Sequence, residues 1–304
     1  MELIIISLLV VVVAALLLRK RSEDAYTAPS EPAPIPEFQN TLDRELENRM
    51  REFIASDRFS LVVQPVMDLK NNTIAGGEVL SRLNHPERGV IFPNDFLPAI
   101  AATGLYSEFD KYIFRKCCAW LSRSRAEGEG MDLVSCNFSR KTLSEPDIAE
   151  QLVHIADSYG LPHGCLGIEL MEQEAETNTD QFFGNLKLLK DSGFRIILDD
   201  FGDGVTSVKD IMRDPLDIVK IDRSVLLAAD NEQVKAAYRS MVEMAEGMGL
   251  QVVCEGIETE EQCRFAREVG CHYGQGFLFY RPMSVDQVFE MIEKGSLAEI
   301  WDEA

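Results

Sequence analysis

The sequence predicts an α/β fold, a (β/α)8 barrel with an irregular first strand, carried behind one N-terminal transmembrane helix. Three observations predict the barrel. Eight short, apolar, largely β-branched runs recur between residues 60 and 280. Most are separated by helix-length segments such as Asp147–Tyr159 and Glu232–Met248, which suit parallel crossovers. The first two runs are joined only by Asp68-Leu69-Lys70-Asn71-Asn72, a polar loop of hairpin length, so they pair antiparallel. An open doubly wound sheet is the alternative, but the glycine fingerprint of a dinucleotide site is absent.

Taken in order, the chain opens with Leu3–Leu18, apolar except for Ser7. As a helix this run covers roughly 24 Å, and Arg19, Lys20 and Arg21 extend it by reaching to the headgroups. No basic residue precedes the run and no small-residue cleavage site follows it, which favours an anchor over a cleaved signal peptide. The basic cluster on its C-terminal side keeps the rest of the chain in the cytoplasm, in a single-pass arrangement in the inner membrane. Residues 22–37 carry Pro29, Pro32, Pro34 and Pro36 and read as a semi-rigid spacer of up to about 50 Å. Residues 38–304 show no second linker and are taken as one domain.

The strands expected in that domain are Ser60–Met67, Ile74–Arg82, Leu133–Phe138, Leu166–Met171, Arg195–Asp199, Ile218–Ile221, Val252–Glu255 and Phe277–Tyr280. The composition around them is globular, with 46% hydrophobic and 27% charged residues among 304. Acidic residues outnumber basic ones 51 to 30, for a net charge of −21, which makes polymeric nucleic acid a poor partner. A small anionic ligand stays possible if metal ions reverse the local sign. Seven cysteines without a C-x-x-C pair, and four histidines without metal-ligand spacing, argue against disulfides, zinc and histidine-based metal sites.

A barrel of this kind places its chemistry at the C-terminal strand ends. There stand Glu78 and Arg82, Asn137, Glu169 and Glu172, the pair Asp199-Asp200, Lys220 and Asp222, Glu255 and Glu258, and Gln275 at the opening of the last strand. One acidic residue in such a place is ordinarily a helix cap or a solvated loop residue. Of these, the five carboxylates Glu78, Glu169, Asp199, Asp200 and Glu255 converging on one mouth, with one lysine and one arginine, cannot all stay ionised without cations. Oxygen ligands without sulfur or imidazole select Mg2+ or Mn2+, and adjacent aspartates allow one of them to bridge two such ions. The residues alone therefore point to a metal-dependent phosphohydrolase.

The segments Gly77-Glu78-Val79-Leu80-Ser81-Arg82, Asn137-Phe138-Ser139, Glu169-Leu170-Met171-Glu172, Asp199-Asp200-Phe201-Gly202, Val219-Lys220-Ile221-Asp222, Glu255-Gly256-Ile257-Glu258-Thr259 and Gly274-Gln275-Gly276-Phe277 occur in this order. Together they resemble the EAL-domain family of cyclic di-GMP phosphodiesterases, over about residues 38–297. The resemblance implies a modified TIM-type barrel with an antiparallel first strand, hydrolysis of cyclic di-GMP to the linear dinucleotide, and two Mg2+ or Mn2+ ions. It implies that Glu78, Asn137, Glu169 and Asp199 hold one ion, and Asp199, Asp200 and Glu255 the other. Lys220 is implied as orienter or base beside the attacking water, with Gln275 bonded into the same network. Arg82 is implied as a phosphate ligand, Gln64 as a contact to the substrate, and Glu172 as the brace of the loop after strand five.

Three departures stand out. Val79 replaces the signature alanine, but on a strand it points away from Glu78. Asp203 and Val205 replace the usual threonine and aromatic, and Met171 the usual threonine, in regions linked to regulation and to a homodimer. The other function class is a catalytically silent, membrane-bound cyclic di-GMP receptor. The completeness of the ligand set favours the enzyme.

Overall fold

The computed structural model describes residues 37–128, 131–170, 180–202, 213, 215–227 and 231–293. The apolar run 3–18, the spacer, Met171, Glu172, and positions 203 and 205 lie outside them. Among the described residues no helix is long and apolar enough to cross a membrane. The chain divides into Met1–Arg44 and Glu45–Ala304, and the barrel belongs to the second unit.

After helix α1 (Glu37–Ala55) come β1 (Phe59–Asp68), β2 (Thr73–His85) and β3 (Gly89–Ile91). Helices α2 (Pro93–Thr103) and α3 (Tyr106–Ala126) lead to β4 (Leu133–Phe138). Then follow α4 (Arg140–Leu143), α5 (Ile148–Ser158), β5 (Leu166–Leu170), α6 (Asp180–Asp191), β6 (Arg195–Phe201) and β7 (Ile218–Ile221). The chain continues through α7 (Arg223–Leu227), α8 (Glu232–Gly247), β8 (Gln251–Cys254), α9 (Glu260–Glu268), β9 (Tyr273–Gly274), β10 (Met283–Ser284) and α10 (Val285–Glu293).

The ring runs β1-β2-β4-β5-β6-β7-β8-β9 and closes back onto β1, eight strands among the described residues. Six consecutive pairings from β2 to β9 are parallel, and β1 is antiparallel to both of its neighbours. The expected antiparallel first strand is therefore present. The hairpin that creates it turns at Asp68, whose carboxylate accepts from the amides of Lys70 (2.8 Å) and Asn71 (2.9 Å). Short side-chain-to-backbone bonds of this kind favour a tight turn over further strand.

Seven of the eight expected strands lie within a residue or three of where the sequence places them. The eighth does not. Phe277–Tyr280 is a helical turn, with the amides of Phe279 and Tyr280 both bonding to Gly276 O (3.2 and 3.1 Å). The ring is closed instead by Tyr273–Gly274, and Gln275 follows that strand rather than opening it. Packing decides the difference. A Cβ on Gly274 would lie 2.7 Å from Ile257 Cδ1, and one on Gly276 would lie 2.1 Å from Ile257 O. Only a glycine pair fits the gap, so a segment with weak strand preference takes the place.

Alternation along each strand sorts side chains into two layers. Outward residues such as Val79, Cys136, Ile168, Leu198, Val219 and Cys254 pack under the helices in the main core. Inward residues Ile197, Ile218 and Val253, with Val66, Leu133 and Tyr273, fill the lower barrel. One step higher the inward positions turn polar, at Glu78, Glu169, Lys220 and Gln275, all buried. Val79 is 2% exposed on the outer side, as its place on the strand requires.

Candidate active site

That polar layer is organised around one lysine. Lys220, inward on β7, is 3% exposed. Its Nζ lies 3.0 Å from Glu78 Oε2, 3.0 Å from Asp199 Oδ1 and 2.7 Å from Glu255 Oε1, and it also donates to Glu169 Oε1. Three strands and the residue that follows β8 thus send a carboxylate to one ammonium. Glu78 is braced further, accepting from Asn137 Nδ2 at 2.9 Å and from Gln275 Nε2 at 3.0 Å. Of the residues singled out from the sequence, the structure gathers Glu78, Asn137, Glu169, Asp199, Lys220, Glu255 and Gln275 into one contact network.

Asp200 joins by a different route. Strict alternation would turn it away from Asp199. The β6–β7 register shifts between Leu198 and Phe201, and Asp200 adopts φ +54°. A bulge with one left-handed residue re-aims a side chain. Oxygens of Asp199, Asp200 and Glu255 consequently lie within 4.8 Å of one another. The segment after Glu255 is fixed by a capping box on α9, in which Thr259 Oγ1 accepts from Gln262 N and Gln262 Oε1 accepts from Thr259 N.

The electrostatics follow from crowding. Burial raises the pKa of Glu78, but the Lys220 ammonium and the donors on Asn137 and Gln275 outweigh it, so Glu78 is held below its ordinary value. Burial and the Glu78 charge push Glu169 well up, against the pull of Lys220. Burial lifts Glu255 to about 8, again opposed by Lys220. For Lys220 burial works downward, but Asp199, Glu169, Glu255 and Glu78 prevail and hold it well above its ordinary value. Among these carboxylates the lysine is therefore an ammonium, a donor in the network. One such charge cannot neutralise four or five carboxylates.

Three buried oxygens around it lack hydrogen-bond partners, Glu169 Oε2, Asp199 Oδ1 and Gln275 Oε1. Asp199 Oδ1 lies within ion-pair distance of Lys220 Nζ but outside hydrogen-bond geometry. An oxygen-only donor set with unsatisfied acceptors fits a hard divalent cation.

A cavity of about 210 Å3 opens over the cluster, lined by Gln64, Glu78, Arg223, Glu255, Gln275 and Phe277 among others. Gln64 faces Glu78 directly across the β1–β2 ladder, and its Nε2 approaches Tyr280 O at 3.4 Å. A larger cavity of about 480 Å3 lies at the other end of the barrel, among Asp132, Arg195 and Gln251, and reaches up to Glu169 and Lys220. Its size does not make it the reaction site, because Glu255, whose oxygen groups with those of Asp199 and Asp200, lines the smaller cavity and not the larger. Arg82 stands apart from the cluster at the end of β2, with its guanidinium 4.8 Å from the Phe92 ring centroid and a bond to Ser81 O at 2.8 Å. Glu172 lies outside the described residues.

Arg223 was not foreseen from the sequence. It lines the smaller cavity and pairs with Glu258 at 2.9 Å. Its stem passes so close to Gly256 (φ +69°) that a Cβ there would lie 2.3 Å from Arg223 Cγ. Its position directly after Lys220-Ile221-Asp222 was the available signal. Asp222 itself serves as a cap, accepting from Ser224 N at 2.8 Å.

The family model described as the EAL domain matches residues 47–282. A cyclic di-GMP phosphodiesterase of Pseudomonas aeruginosa, NbdA, is 30% identical over 254 residues, covering 83% of this chain and 32% of that protein. The chain thus spans about a third of the length of that curated relative. Among solved structures, the MucR phosphodiesterase in complex with c-di-GMP superposes with a TM-score of 0.73 at 28% identity, covering 80% of this chain and 99% of that one. An EAL-domain protein from Listeria monocytogenes gives a TM-score of 0.72 at 26% identity, covering 81% and 97%.

Proposed function

The chain belongs to the EAL domain family, and from that premise we propose that it is a divalent-metal-dependent phosphodiesterase opening cyclic di-GMP to linear pGpG. The observation that carries the reading is the grouping of Asp199, Asp200 and Glu255 oxygens within 4.8 Å beside the Lys220 cluster. The names of the relatives, a cyclic di-GMP phosphodiesterase and a phosphodiesterase holding c-di-GMP, support the substrate.

Glu78, Asn137, Glu169 and Asp199 would hold one Mg2+ or Mn2+, and Asp199, Asp200 and Glu255 a second. Such ions supply charge to the phosphate oxygens and lower the pKa of bound water. The remaining roles fall to the chain. Lys220, held in place by the surrounding carboxylates, would turn one ammonium proton to the attacking water once ions share those carboxylates, and orient it. Gln275 and Asn137 hold Glu78 against rotation. Gln64 lies at the rim of the cavity, within reach of the substrate. Arg82, whose planar fork matches two phosphate oxygens, takes a phosphate away from the metal cluster. The water oxygen bonds to phosphorus as the P–O3′ bond breaks, and the proton that the water gives up ends on the departing 3′ oxygen.

The full chain in detergent, stripped with chelator and given cyclic di-GMP with Mn2+ or Mg2+, tests this by chromatography of the nucleotides. We expect linear dinucleotide, lost on chelation and reduced at least 1000-fold in Glu78→Ala, on the scale of other losses of a central catalytic group. Binding without turnover under both metals would replace the enzyme by a receptor. We further propose that Leu3–Leu18 anchors the protein in the inner membrane with the barrel on the cytoplasmic side, a reading supported by the apolar run and its basic C-terminal flank.

A further inference from the structure

The end of β4 is held from outside the barrel by a carboxylate that takes no part in the cluster. Asp110 lies on α3 and is 6% exposed. Its Oδ2 accepts from Ser139 N at 3.0 Å and from Thr142 Oγ1 at 2.6 Å. Ser139 in turn caps α4, its Oγ accepting from Thr142 N at 3.1 Å. One turn further along α3, the Phe114 ring meets Phe138 edge-on at 5.7 Å. So α3 grips residues 138 and 139 by two independent contacts. The residue immediately before them is Asn137, which donates to Glu78 Oε1 at 2.9 Å inside the barrel.

The choice of an acid here has a cost. Burial pushes the Asp110 pKa up to about 6, against the bonds from Thr142 and Ser139 and with the Glu145 charge adding to the rise. A neutral acceptor would satisfy the same two donors without burying a charge. What the charge adds is a stronger, shorter hold on its donors. Such a hold matters where a small displacement is costly, and a ligand side chain must be kept within about 0.5 Å of its working position.

We infer that Asp110 is a positioning residue for the candidate metal centre: it fixes the end of β4 so that Asn137 stays in register with Glu78, and divalent-cation affinity depends on it. The inference rests on the reading of Asn137 as a metal ligand.

The test uses the full chain and Mn2+ alone, with free Mn2+ read from its electron paramagnetic resonance signal and folding checked by thermal melting. Asn137→Ala is the reference and should weaken Mn2+ binding about tenfold, equivalent to about 1.4 kcal/mol. Asp110→Ala should weaken it by a similar factor. Asp110→Asn keeps an oxygen acceptor for both donors but loses the charge, and should fall between the wild type and Asp110→Ala, weakening binding by about threefold. Val242→Ala, in the core under α8 and remote from β4 in sequence, should lower the melting temperature and leave Mn2+ affinity unchanged, which separates positioning from general loosening. If Asp110→Ala does not fold, Thr142→Val removes one donor at nearly constant shape and should weaken Mn2+ binding by about threefold. Wild-type affinity in a folded Asp110→Ala or Thr142→Val protein, with Asn137→Ala impaired, overturns the positioning role alone. Wild-type affinity in Asn137→Ala overturns the ligand reading first, and the positioning role falls with it.

Discussion

Lys220 shows how one side chain organises a site. Its four carboxylate partners come from β2, β5, β6 and the residue after β8, and all were legible in the sequence because each lies in, ends or directly follows an apolar run. The strand-end rule found them without any knowledge of their contacts. It could not show that the lysine sits at their centre, since that depends on barrel closure and not on local pattern. Removing the ammonium leaves a buried group of carboxylates with no internal cation, a change that typically costs about 3–5 kcal/mol. Lys220→Met should therefore melt well below the wild type in chelator, and Mn2+ should raise the melting temperature of the variant more than that of the parent. Equal melting temperatures in chelator would show that the ammonium does not stabilise the cluster. Asp110 marks the opposite limit. It stands 27 residues before Asn137 on an amphipathic helix, and nothing in its neighbourhood separates it from a solvated acid.

At the level of elements, the runs that were read well are those whose apolar character and strand preference agree. Leu133–Phe138 and Ile218–Ile221 are observed at their expected limits. The closing strand failed because the two signals diverge. Phe277–Tyr280 is the more apolar segment, yet the narrow gap beside Ile257 admits only backbone. The β6 bulge was equally hidden, since the sequence brought both aspartates to the mouth without the register shift that allows it. The tight closure makes a prediction. Gly276→Ala places a methyl group 2.1 Å from Ile257 O and must displace the segment that carries Gln275. It should lower both the melting temperature and kcat, the latter by at least tenfold. Gly184→Ala on α6, where an added Cβ meets nothing within 4 Å, should be neutral or stabilising by up to about 1 kcal/mol. Equal behaviour of the two variants would remove backbone closeness as the reason for the glycine.

For the molecule as a whole, composition and charge limited the partners, and the alternation of strands and helices gave the class of fold. The anchor is a separate matter. Deleting residues 1–21 should move the protein from the membrane to the soluble fraction while turnover of cyclic di-GMP stays within about threefold, because the barrel and its site lie in Glu45–Ala304. Retention in the membrane after deletion would assign the attachment elsewhere. The ring closure also has a consequence in time. β1 leaves the ribosome first of the ring strands, whereas β9, the strand that seals it, and Gln275, which steadies Glu78, come roughly 200 residues later. At about 5–20 residues per second the open sheet waits on the order of ten seconds or more for its last partner. Through that interval the strands expose unpaired edges, and pairing with other chains competes with closure. A chain stopped before Tyr273 would carry most of the acidic residues with no closed ring to gather them.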